Sequence, residues 1–200
     1  GDAVAREGGD DAVGRHLADT MVGGVGDVEI GRAVDRDASG IGGYGQMLIF
    51  RRGMQEPTAI EFMTAVPELA SVTNRDFPPG GRLPPDGPVL ANIPGTVAGM
   101  ELAWKKYGSG KVPWADLIAP AIRAAEDGYV VSDGLATTLS YERESYLKYD
   151  GSRALFFRDG EPLRAGDTLR NPDLAWTLRE IARDGAAAFY TGAVAQRMVA

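Results

Sequence analysis

Ser39-Gly40-Ile41-Gly42-Gly43-Tyr44-Gly45-Gln46-Met47-Leu48-Ile49-Phe50 packs four glycines into the six residues Gly40 to Gly45 and then runs into an apolar string. Gln46 to Phe50 reads as a strand, because it is short, rich in large apolar residues and bounded by glycine. Thr58 to Phe62 reads as a second strand, with Arg51-Arg52-Gly53-Met54-Gln55-Glu56 as the turn between them. The glycines invite comparison with a dinucleotide fingerprint, whose backbone approaches a pyrophosphate at a helix N-terminus. Context rejects that comparison. A fingerprint follows a strand and opens a helix, whereas here Asp35-Arg36-Asp37-Ala38 precedes the glycines and a strand follows them. A tight turn where backbones pass closely is the better reading, since glycine tolerates positive φ.

Outward from this hairpin the pattern becomes helical. Ile93-Pro94-Gly95-Thr96-Val97-Ala98-Gly99-Met100-Glu101-Leu102-Ala103 opens a helix over Thr96 to Tyr107, with Thr96 as its expected N-cap. Trp114 to Gly128 carries an apolar stripe of Ala115, Leu117, Ile118, Ala121, Ile122 and Ala125, with Gly128 as C-cap. Further helices are expected over Asp133 to Tyr149, Asn171 to Asp184 and from Gly192 onward. Asn171-Pro172-Asp173 is a start signal with Pro in the first turn. A small hairpin is expected over Phe156 to Leu163. Asp11 to Met21 reads as a helix weakened by its glycines, and the Pro- and Gly-rich stretch 77–88 as an exposed loop. Gly192 to Ala200 runs in helical register and stops without Gly, Pro or a polar cap, as an element interrupted midway would.

Two hundred residues at 44% hydrophobic and 24% charged suffice for a single domain over 1–200 with a real core. A formal charge of -7 with no basic run argues against nucleic acid, whose affinity comes from clustered Lys and Arg. With no cysteine and one histidine, neither a disulfide framework nor a thiolate or His-rich metal site is expected, and no cofactor is implied. No apolar run approaches the roughly 20 residues that span a bilayer. Gly1 is not followed by a basic and then an apolar segment, so any leader has already gone, and the compartment stays open between cytoplasm and periplasm or exterior. His16 has no Ser or Cys elbow to serve, which leaves a Ser-His-Asp mechanism without support. Asp10-Asp11, Glu126-Asp127 and Glu142 with Glu144 fall on stretches that read as solvated helix faces or ends.

The strings at Ser39 to Phe50 and Ile93 to Ala103, taken together, resemble the large subunit of the gamma-glutamyltransferase family. So do Tyr107-Gly108, Val112 to Ile122, Ala125 to Ser132, Leu163 to Leu169 and Asp184 to Gly192. The match runs from about Ser39 to Ala200 and is poor upstream, although Glu7-Gly8-Gly9-Asp10-Asp11-Ala12-Val13 is similar to the family's Gly-Gly-Asn-Ala-Val-Asp start. The resemblance implies an α/β fold of the N-terminal-nucleophile hydrolase type, an αββα sandwich to which this chain gives part of the sheets and a helical subregion. It also implies an autoproteolysed heterodimer linked to glutathione metabolism. There a threonine at the start of the small subunit, activated by its own α-amine, attacks a small-molecule amide and forms an acyl-enzyme intermediate. No catalytic residue is expected within this chain.

The family's second strand ends in a string like Asp-Phe-Arg-Glu-x-Ala-Pro, whose arginine forms a forked pair with the substrate's α-carboxylate. The matching string here is Ile60-Glu61-Phe62-Met63-Thr64-Ala65-Val66-Pro67. Met63 stands in the arginine's place and Thr64 where the family has Glu, so the substrate-binding candidates are Phe62, Met63 and Thr64. Loss of the guanidinium removes about 1.5 to 3 kcal/mol of charged hydrogen bonding. Either the pocket is rebuilt for a less polar acyl group, as in acylase-like relatives, or Arg51, Arg52 or Arg75 reaches in from elsewhere. The bland alternative is that Met63 simply packs. Other readings at the level of the chain are a catalytically silent scaffold subunit and a binding protein on the same fold.

Overall fold

The computed structural model describes residues 40–67, 87 and 90–199, together with the backbone of Glu29–Ile30. The expected helix over Asp11 to Met21, the loop 77–88 apart from Gly87, His16, Asp10-Asp11 and Arg75 lie outside the described residues. The chain forms two compact units, one within Val28–Lys106 and one from Tyr107 onward.

The first unit is built on the hairpin read from sequence. β2 (Gly45–Phe50) and β3 (Thr58–Phe62) pair antiparallel from Ile49↔Thr58 to Gly45↔Phe62. β1 (Glu29–Ile30) pairs with the other edge of β2, giving the order β1-β2-β3. Side chains alternate as a half-buried sheet requires: Met47, Ile49, Ile60 and Phe62 are buried, while Gln46, Leu48, Ala59 and Glu61 face out. Gln46 and Glu61 are cross-strand partners on that outer face, with the amide donating to the carboxylate at 2.8 Å. Arg51 to Pro57 turns the chain, with the Met54 N–H donating to the Arg51 carbonyl at 3.0 Å and Gly53 at φ 93.

α1 (Thr96–Tyr107) has the expected span. Its cap sits one residue earlier than the sequence suggests, because the Gly95 carbonyl accepts the first helical bond, from Gly99 N–H at 2.9 Å. Thr96 is therefore the first helical residue, and it is buried. Lys105 and Lys106 occupy the last turn, where positive charge complements the helix dipole.

The second unit pairs α2 (Trp114–Asp127) with α6 (Pro172–Asp184). Leu117, Ile118, Ala121 and Ala125 of α2 and Ala175, Leu178 and Ile181 of α6 are all buried. The Trp114 indole donates to the Ile181 carbonyl at 2.9 Å, and Arg179 pairs with Glu126. The expected C-cap is present, Gly128 ending α2 at φ 96, and α6 begins at the expected start signal, where the Asn171 side chain accepts from Leu174 N–H at 2.9 Å.

A second cluster gathers Val131, Leu139, Leu163 and Leu169. It lies among β4 (Tyr129–Val130), which pairs with β7 (Thr168–Leu169), and α3 (Asp133–Tyr141). The hairpin of β5 (Phe157–Arg158) and β6 (Glu161–Pro162) turns through Asp159 at φ 52 and Gly160 at φ 81. Two positive φ values in a two-residue loop are what an Asp-Gly turn supplies. α7 (Ala186–Tyr190) and α8 (Ala193–Val199) complete the unit.

The continuous helix expected over Asp133 to Tyr149 is broken. α3 stops at Glu142, at φ -92 and ψ 18, and α4 (Arg143–Leu147) and α5 (Asp150–Phe156) follow as short separate helices. Two forces act at the break. Thr137 and Ser140 hydroxyls donate back to the carbonyls of Asp133 and Ala136, a pattern that bends helices. Arg143 meanwhile donates to the Gly160 carbonyl at 2.6 Å, tying the next helix to the β5–β6 turn.

Candidate functional site

The residues singled out at the end of β3 stand at a fork. β2 and β3 stay paired as far as Gly45↔Phe62 and then part. Below that point the Gly43 carbonyl accepts from Gly95 N–H at 3.1 Å and Thr96 N–H at 3.2 Å, while Ala65 and Ile93 exchange backbone bonds at 2.9 and 2.8 Å. The Ile93 to Thr96 segment thus enters between the diverging strands and starts α1 there. A Gly43 N–H to Gly40 carbonyl bond of 2.9 Å closes the turn on the other side.

Two glycines make this crossing possible. A Cβ on Gly95 would lie 2.6 Å from the Phe62 carbonyl carbon and 2.7 Å from the Met63 carbonyl oxygen. One on Gly99 would lie 2.5 Å from both Cβ and Cδ1 of Phe62. Phe62 is buried here, its ring held between Gly99 and Gly45, so it fixes the strand end from beneath. Met63 turns the other way and keeps 51% of its surface exposed. Thr64 is half-buried.

Among the described residues of this unit the arginines are Arg51 and Arg52, both in the hairpin turn. Arg51 lies six residues up the strand from Gly45, about 20 Å away at the rise of an antiparallel strand. An arginine side chain does not span that distance, so neither Arg51 nor Arg52 fills the place beside Met63. Sequence reading left Gly95 and Gly99 without a role, although their spacing of four residues on one helical face was a visible signal.

The remaining features of the second unit are structural. A shallow groove between α3 and Leu163 to Ala165 is lined by Asp133, Thr137, Ser140, Tyr141 and Arg164. The Thr137 and Ser140 hydroxyls in it are spent on their own helix. Glu126, Glu142 and Glu144 are exposed, as expected of helix faces and ends. Hydrogen bonds that Arg183 donates to the Asp184 and Glu180 carboxylates raise its pKa, and the same guanidinium lowers that of Asp184, an exposed ion-pair cluster at the end of α6. Burial raises the Tyr129 phenol.

The fold is α/β, and the solved structures it resembles are N-terminal-nucleophile hydrolases. The chain belongs to the gamma-glutamyltranspeptidase family, whose model matches residues 31–200. It is 38% identical over 168 residues to the glutathione hydrolase proenzyme of Escherichia coli, covering 80% of this chain and 28% of that protein. It superposes on Helicobacter pylori gamma-glutamyltranspeptidase with a TM-score of 0.75 at 35% identity, covering 94% of this chain and 52% of that one. A cephalosporin acylase from Bacillus halodurans is also similar, with a TM-score of 0.69 at 26% identity over 94% of this chain and 33% of that one. The chain therefore spans between about a quarter and a half of the length of these relatives.

Proposed function

We propose that this chain is the large-subunit part of an N-terminal-threonine amidohydrolase or acyltransferase whose acyl substrate is not strictly γ-glutamyl. Family membership supports the chemistry. The threonine hydroxyl adds to the amide carbonyl, its proton passes through the α-amine to the leaving amine, and the acyl-enzyme ester is then released to water or to a second amine. The threonine, its amine and the oxyanion donors belong to the small subunit from the same precursor, and the proenzyme name of the Escherichia coli relative fits such processing. What this chain supplies is one wall of the acyl site, with Met63 displayed, Thr64 beside it and Phe62 as support.

The observation that carries the substrate reading is Met63 itself. It is half exposed at the strand end where the family places its carboxylate-binding arginine, and Arg51 and Arg52 stand at the far end of the hairpin. A thioether donates no hydrogen bond to a carboxylate, whereas an apolar lining with few polar groups suits an uncharged acyl body. The similar fold of a protein named as a cephalosporin acylase supports this reading. Met63→Arg in the complete enzyme is expected to raise kcat/KM for γ-glutamyl p-nitroanilide relative to phenylacetyl p-nitroanilide by at least about tenfold, the equivalent of 1.4 kcal/mol. An unchanged ratio would show that position 63 does not set acyl choice.

A further inference from the structure

Thr96 is the one polar side chain buried among the described residues, with 8% of its surface exposed. Its backbone N–H is used on the Gly43 carbonyl, but its hydroxyl makes no hydrogen bond among the described residues. A buried hydroxyl without a partner costs free energy, and a valine would occupy the same volume without that cost. The hydroxyl therefore calls for a partner from outside this unit.

A second observation, at Gly43, points the same way. A Cβ on Gly43 would lie 3.4 Å from the Thr96 Oγ1 and 3.1 Å from the Gly40 carbonyl oxygen. Gly43 is not among the glycines with a left-handed φ, so its backbone does not demand glycine. What the missing side chain provides is room beside the hydroxyl. The place is the fork itself: the Gly43 carbonyl takes the Gly95 and Thr96 N–H groups, and Gly95 lies against the Phe62 and Met63 carbonyls. Thr96 also opens α1, so the hydroxyl stands at the positive end of a 12-residue helix. A hydroxyl donor at a positive helix end selects an acceptor oxygen.

Resting on the reading of Met63 given above, we infer that Thr96 is a second specificity-determining residue, whose hydroxyl donates to a neutral carbonyl oxygen carried along the acyl chain. The acyl class it fits has a ketone or amide oxygen at the distance from the scissile amide where a γ-glutamyl group carries its α-carboxylate. One neutral donor holds that oxygen where an arginine at position 63 would hold a charged one.

The test measures kcat/KM in the complete processed enzyme for 5-oxohexanoyl and 5-methylhexanoyl p-nitroanilide, acyl groups of one shape that differ by an oxygen against a methyl. Thermal midpoints check folding. Wild type is expected to prefer the oxo substrate, and Thr96→Val to reduce that preference about tenfold, as loss of one hydrogen bond does. Thr96→Ser, which keeps the hydroxyl, is expected to hold the preference within about threefold of wild type. Gly43→Ala, which leaves the hydroxyl in place and fills the room beside it, is expected to lose the preference as Thr96→Val does. A Thr96→Val enzyme with an unchanged ratio, or a wild type that does not distinguish the two substrates, overturns the inference while the threonine chemistry stands. Equal losses in Thr96→Ser and Thr96→Val overturn it too, since shape and not the hydroxyl is then at work. A wild-type enzyme that cleaves neither anilide but cleaves γ-glutamyl p-nitroanilide overturns the Met63 reading as well.

Discussion

At the scale of single residues the fold turns on the contact between Gly99 and Phe62. Alanine in place of glycine inside a helix ordinarily gains up to about 1 kcal/mol. Here the new methyl would sit 2.5 Å from Cβ and Cδ1 of Phe62, atoms close to the backbone that cannot swing aside. Overpacking of this kind costs about 1 to 3 kcal/mol, so the clash outweighs the propensity gain. Gly99→Ala is expected to lower stability in urea denaturation, whereas Gly42→Ala, with nothing within 4 Å of its Cβ, is expected to leave it unchanged or slightly raised. A stabilised Gly99→Ala protein would contradict the packing described. Met63 was legible in the sequence because Phe62 and Pro67 match the family's string on either side of it. Gly99 was not, because its role depends on Phe62 lying against it, and spacing along one chain does not report that.

At the scale of elements, the hairpin and the two long helices of the second unit were legible for local reasons. Alternation set β2 and β3, apolar stripes set α2 and α6, and Gly128 and Asn171 punctuated them. The division into α3, α4 and α5 was not, since no Gly or Pro marks Glu142 and the break depends on Arg143 reaching Gly160 from outside the helix. Asn171 also gives this scale its own test. Its side chain satisfies the Leu174 N–H at the start of a helix whose buried face forms half of the α2–α6 packing. Asn171→Ala is expected to cost about 1 kcal/mol, and Asn171→Ser, which can accept the same bond, to recover most of it. Equal losses in both, measured as urea midpoints, would mean that the cap contributes nothing.

At the scale of the whole molecule, the proposal gives this chain the fork at Met63 and assigns the nucleophile, the activating amine and the oxyanion hole to the small subunit. Family membership covers residues 31–200, yet the chain spans only 28% of the Escherichia coli proenzyme it matches. The proposed chemistry therefore belongs to an assembly, and the most direct test is of that assembly's composition. Intact mass and N-terminal sequencing of the active native preparation are expected to show this chain's polypeptide together with a second one, from the same precursor, that begins with threonine. An active preparation made of a single uncut polypeptide, or a partner beginning with any other residue, would contradict the assignment to the N-terminal-threonine hydrolases.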